Sequence, residues 1–309
     1  MKQLRGALLL TLAALIWGTA FVAQSLGMDH VGPFTFNSVR NFIAALALTP
    51  VILFLRRRRD PAKAEGAAVN YRKTLWLGGL CCGAALTVAS SLQQIGLQFT
   101  TVGKAGFLTA LYIVIVPLLG LFFKKRVPAA VWAGVVIAAA GTYLLSVTED
   151  FTIGRGDLLV ILCAVCFSGH ILLVDHFSPK VSGVELSAAQ FLVTGILSTV
   201  AALFAETVSL TDILHSAGPI LYTALLSSGV AYTLQIVGQK ETPPAVASLV
   251  MSLESVFAAL SGWLFLKQGM QPREFLGCVL VFAAVILAQI PFDELKTRLK
   301  NKKAGQRTE

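Results

Sequence analysis

The chain has 309 residues, a formal net charge of +9 and a mean hydropathy of +0.75, with 56% hydrophobic and only 13% charged residues. Soluble domains carry about 25% charged residues, so this composition excludes a soluble enzyme and places the chain in a membrane. Its apolar stretches are twice the length of outer-membrane strands and do not alternate, which excludes a β-barrel.

Ten spans are predicted in chain order: 4–26, 33–55, 74–97, 101–123, 127–147, 157–176, 184–205, 217–238, 243–266 and 272–291. Each is about 20–25 residues, enough for an α-helix to cross roughly 30 Å of hydrocarbon. Lys2 and Arg5 precede a first apolar stretch longer than a signal-peptide core, so no cleaved leader is expected. With the N-terminus in the cytosol, 20 of the 25 Lys and Arg fall in cytosolic segments. Three (Arg155, Lys267, Arg273) fall outside, and Arg40 and Lys104 lie within spans. That asymmetry predicts a multi-pass protein of the cytoplasmic membrane with both termini cytosolic. It also assigns the positive charge, including the run Arg56 to Arg59 and the basic tail 291–309, to topology and the lipid surface, and gives no reason to expect a nucleic-acid partner.

Several polar residues fall where hydrocarbon penalises them. Glu254 lies about eleven residues into the ninth span, roughly 16 Å deep at 1.5 Å per residue. A charge there costs about 2.5–3.5 kcal/mol, so the carboxyl needs a protein or water environment. It is either a coupling and substrate residue of an internal cavity or a clamp between helices. Tyr112 occupies the same depth in the fourth span and can bond a substrate or Glu254. His170 is mid-span in the sixth, available as an interhelical donor, a proton carrier or a substrate contact. Arg40 should face protein, an anionic substrate or a carboxylate, or act as a polar clamp. Lys104, one turn from the outer face, either snorkels or serves a gate. Trp17 is too deep for an interfacial belt and forms packing or a cavity wall. Ser90, Gln93, Gln94, Tyr232 and Gln235 should turn towards the bundle interior. The five cysteines all lie within spans and read as packing, Cys163-Ala-Val-Cys166 included. No metal or cofactor motif is present.

The chain also repeats itself. At an offset of 150, Arg5-Gly6 meets Arg155-Gly156, Trp17 meets Phe167, Gly18 meets Ser168 and Arg40 meets Gln190. Further on the offset falls to about 142, where Lys104-Ala105-Gly106-Phe107 meets Val246-Ala247-Ser248-Leu249 and Tyr112 meets Glu254. Each copy holds five spans, an odd number, so the second copy must run upside down relative to the first. Inverted repeats are the architecture of secondary transporters.

Four groups of residues carry a family resemblance: Leu15-Ile16-Trp17-Gly18-Thr19-Ala20-Phe21, Arg40, the run from Gly103 to Tyr112 with Pro117, and Ala247 through Leu260 with its Ser-Leu-Glu-Ser-Val-Phe-Ala-Ala core. Through them the chain resembles the EamA-type transporters of the drug/metabolite transporter superfamily, as two units over 8–147 and 157–290 followed by the tail 291–309. The resemblance implies an all-α integral membrane protein: ten helices in two inverted five-helix repeats around a central cavity. It also implies alternating access and export or exchange of a small metabolite such as an amino acid, with protons or a counter-substrate as possible coupling partners. Glu254, Tyr112, His170, Trp17, Gln93, Gln94, Tyr232, Arg40 and Lys104 are the expected cavity set. The family usually has Pro after the glutamate, where this chain has Ser255, so the local helix bend is not expected to carry over. A lipid flippase needs a laterally open groove, an enzyme acting on lipid-linked substrates needs clustered ionisable groups, and a channel needs charged rings or oligomeric symmetry. Scattered single charges and the absence of an ATP-binding motif favour a gradient-driven transporter.

Overall fold

The computed structural model describes residues 2–57, 68–122, 124, 127–146, 153–265 and 270–289. Arg58, Arg59, Lys267 and the tail 291–309, all used in the topology argument, lie outside them.

Because the bilayer offers no partner for an exposed peptide group, a spanning chain must close its backbone hydrogen bonds within helices. The described residues do so. The helices are α1 Lys2–Gly27, α2 Pro33–Arg57, α3 Ala68–Leu97, α4 Val102–Ala110, α5 Tyr112–Phe122, α6 Ala129–Ser146, α7 Arg155–Phe177 and α8 Gly183–Ala205. The short α9 Leu210–His215 follows, then α10 Ala217–Tyr222, a π-helical segment Thr223–Tyr232, α11 Thr233–Gln239, α12 Pro244–Met251, α13 Leu253–Phe265 and α14 Pro272–Gln289. Among the described residues eight stretches are long and apolar enough to cross a membrane, counting α4–α5, α10–α11 and α12–α13 as one each. The protein is a multi-pass membrane protein. The other two apolar helices, α6 and α14, have 18 residues each, about 27 Å of rise.

Where the chain enters a helix, charge is placed to match the helix dipole. Glu206, just past α8, caps α2: Oε1 accepts from the Phe34 amide at 2.8 Å, and Oε2 from the Thr35 amide at 2.9 Å and the Thr35 hydroxyl at 2.7 Å. Asp157 does the same for α7, accepting from the Gly154 amide at 2.7 Å.

Packing contacts recur with the two halves of the chain exchanged. Helix α2 packs on α8, and α6 on α14. The contact of α1 with α13 matches that of α7 with α4 and α5, and α1 against α10, the π segment and α11 matches α7 against α3. Residue by residue, the burial class along 3–27 is the same as along 153–177. Two glycine crossings share this relation. A Cβ on Gly6 would stand 2.9 Å from the Gly238 carbonyl oxygen, and one on Gly156 would stand 2.7 Å from that of Gly96. Both distances forbid a side chain, so backbone meets backbone at each crossing. Gly141 and Gly277 join α6 to α14 in the same way, at 2.8 and 2.6 Å.

Candidate functional site

The site starts from two helix interruptions. Between α4 and α5, Leu111 has φ −56° and ψ −17°. Between α12 and α13, Ser252 has φ −62° and ψ −13°. Both values are flatter in ψ than the α-helical −42°, so the helix tightens for one turn and its hydrogen-bond ladder slips. Serine side chains take up carbonyls around the second interruption: Ser252 Oγ donates to Leu249 O at 2.7 Å, and Ser255 Oγ to Ser252 O at 2.8 Å. The helix is thus interrupted here without a proline, and the serine hydroxyls bond back along it. Tyr112 directly follows the first interruption, and Glu254 lies two residues after the second.

Both side chains line a central cavity of about 40 Å³. They are 4% exposed each. The Tyr112 hydroxyl and the Glu254 carboxyl interact, but neither the hydroxyl nor Oε1 of Glu254 makes a hydrogen bond of full geometry. Aromatic walls come from Trp17 and Phe21 of α1, Phe167 of α7 and Tyr232 at the end of the π segment. Trp17 and Tyr232 meet edge to face at 4.9 Å between centroids. Trp17 Nε1 donates to the Ser227 carbonyl of the π segment at 3.3 Å. Polar groups enter from α1 (Gln24), α2 (Arg40), α3 (Gln93), α4 (Thr109) and α11 (Gln235). Gln93 Nε2 donates to the Thr109 hydroxyl at 3.1 Å, and Arg40 Nη1 to Gln24 Oε1 at 3.1 Å.

Of the nine expected cavity residues, Glu254, Tyr112, Trp17, Gln93, Tyr232 and Arg40 line this space. Three are placed elsewhere. Lys104 ion-pairs with Asp157 at 2.6 Å, and Thr100 Oγ1 donates to the same carboxylate at 2.6 Å. His170 Nε2 bonds Gln190 Oε1 at 3.0 Å and packs edge-on to Tyr232 behind the wall. Gln94 Nε2 donates to the Gln24 carbonyl at 3.4 Å. Hydropathy fixed how deep these residues sit, but depth alone does not say which way a side chain points. Gln24 and Thr109 carry no charge and have apolar residues at i±4, so the sequence does not mark them as cavity residues.

The profile of the EamA-like transporter family matches residues 4–147 and again residues 154–289. The chain belongs to this family. An uncharacterized transporter of Archaeoglobus fulgidus is 32% identical over 94% of this chain and 87% of its own length. The uncharacterized transporter YoaV of Bacillus subtilis is 22% identical over 91% of this chain and 96% of its own. A WAT1-related chloroplastic protein of Arabidopsis thaliana is 24% identical over 89% of this chain and 67% of its own. One solved crystal structure superposes with a TM-score of 0.73 at 19% identity, covering 95% of this chain and 98% of that one; the likeness is one of fold.

Proposed function

We propose that the protein is a secondary transporter that exports or exchanges a small metabolite, such as an amino acid, across the cytoplasmic membrane by alternating access. Ten helices, α6 and α14 included, form two inverted five-helix repeats with both termini cytosolic. The central cavity is the substrate site. Glu254 is the coupling residue, shared between a proton or counter-substrate and the solute, and Tyr112 is its partner from the opposite repeat.

One observation carries this reading: equivalent helices of the two halves are interrupted at mid-span, and each delivers a buried polar group to the same cavity. A carboxyl with an unpartnered oxygen in hydrocarbon surroundings is costly, and a solute or proton taken up there relieves the cost. The exchange of contacts between halves supports a mechanism in which the repeats swap conformations. Reconstitution into liposomes with a metabolite panel, with and without a pH gradient, tests it. Wild type should accumulate at least one compound in a gradient-dependent way, and Glu254→Gln should lose that dependence. Unchanged coupling in Glu254→Gln removes the proposed role of the carboxyl, and enzymatic turnover of a panel compound removes transport.

A second reading, lipid translocation, rests on an outward groove floored by Ala188, Ala189 and Leu192 of α8 between α2 and α3. Fluorescent-lipid scrambling in the same liposomes would favour it.

A further inference from the structure

Arg40 is a buried cation with no counter-ion. Its residue is 3% exposed, it lines the central cavity, and among the described residues no Asp or Glu lies within ion-pairing distance of it. Other basic side chains near the ends of the helices have carboxylates: Lys104 has Asp157, Arg56 has Glu185 and Arg5 has Glu241. The Arg40 guanidinium instead donates from Nη1 to Gln24 and lies 5.7 Å from the Phe36 ring centroid, while Nε has no partner.

The second half of the chain supplies the control. Its residue equivalent to Arg40 is Gln190, fully buried, which ties α8 to α7 through His170 at 3.0 Å. A neutral amide thus performs the same helix-to-helix tether that Arg40 and Gln24 perform between α2 and α1. Packing does not require the charge. A guanidinium, planar and permanently ionised, is suited to a carboxylate or phosphate approached in its own plane. The aromatic walls beside it suit an apolar body.

We infer that Arg40 is the anchor for an anionic group of the transported solute, so that the cavity selects small organic anions or zwitterions with a carboxylate or phosphate end. The inference rests on the central cavity being the substrate site.

Purified protein in neutral-lipid nanodiscs, at low chloride, tests it by thermal unfolding with benzoate, phenyl phosphate, benzylammonium and benzamide. The two anions should stabilise wild type, and the cation and amide should not. Arg40→Gln, which copies the second half, should keep its ligand-free unfolding temperature and bind the anions about 10- to 100-fold more weakly, the loss of a charge-assisted hydrogen bond. Arg40→Lys should recover part of that loss. Equal stabilisation by all four probes, no stabilisation by either anion at millimolar concentration, or unaltered anion binding in Arg40→Gln overturns the inference. Misfolding of Arg40→Gln also overturns it, because the charge would then be a packing requirement. Liposome flux separates this from the transport reading: anion binding through Arg40 without flux sinks only transport, while equal flux of a cationic or neutral solute by wild type and Arg40→Gln sinks only the anchor.

Discussion

The two halves share a scaffold and differ in what they place on it. At equivalent positions the first half has Arg40, Tyr112 and Lys104, and the second has Gln190, Glu254 and Val246. Asp157, which holds Lys104, is matched by Ala7, and Ala7 and Val246 are buried in one apolar cluster. One half thus carries an ion pair where the other places buried apolar side chains. The backbone relation between the halves survives these exchanges, so helix packing carries the symmetry and the side chains are left to make the cavity polar and one-sided.

Mutations can break or sharpen that contrast. The largest effect is expected from Asp157→Ala, which removes the acceptor shared by Lys104, the Thr100 hydroxyl and the Gly154 amide and should cost about 3 kcal/mol in thermal unfolding. The double variant Lys104→Val with Asp157→Ala copies the other half and should recover the ion-pair part of that loss, leaving about 1 kcal/mol for the α7 cap that Asp157 also provides. If the double variant is as unstable as the single one, the ion pair and the apolar contact are not interchangeable. Next come the glycine crossings. Gly6→Val and Gly156→Val should each lose about 1–3 kcal/mol by overpacking, and by similar amounts. A large difference between them, read by unfolding in the same detergent, would break the equivalence of the two crossings. Tyr112→Phe removes a hydroxyl that makes no hydrogen bond of full geometry and only a weak contact with Glu254, so stability should change by less than about 1 kcal/mol. Flux should nonetheless fall about 3- to 10-fold if the hydroxyl contacts the solute. The smallest effect belongs to Glu241→Gln. Its partner Arg5 has a 70% exposed side chain at 3.7 Å, and such pairs contribute about 0–1 kcal/mol.

Much of this was legible in the sequence. Periodic apolar length gave the spanning helices, and a single acid at mid-depth gave the cavity its most informative residue. The interruptions at Leu111 and Ser252 were not legible, because neither residue is Pro or Gly; serine hydroxyls bond back along the chain around Ser252. The π segment Thr223–Tyr232 is equally silent, since its composition suits an ordinary helix. The sequence placed Lys104 and His170 along their spans but did not name their partners. Asp157 and Gln190, which hold them, lie 53 and 20 residues away in sequence, and only the fold brings each pair together.

The Gly141–Gly277 crossing has a practical consequence for mutational surveys. Neither α6 nor α14 contributes a side chain to the central cavity, and their mutual contact admits nothing larger than hydrogen at these two positions. A deep mutational scan scored by growth would therefore mark both glycines as intolerant alongside Glu254. Scored by surface abundance, the glycine variants would drop out while the Glu254 variants remained, which sorts assembly defects from lost activity.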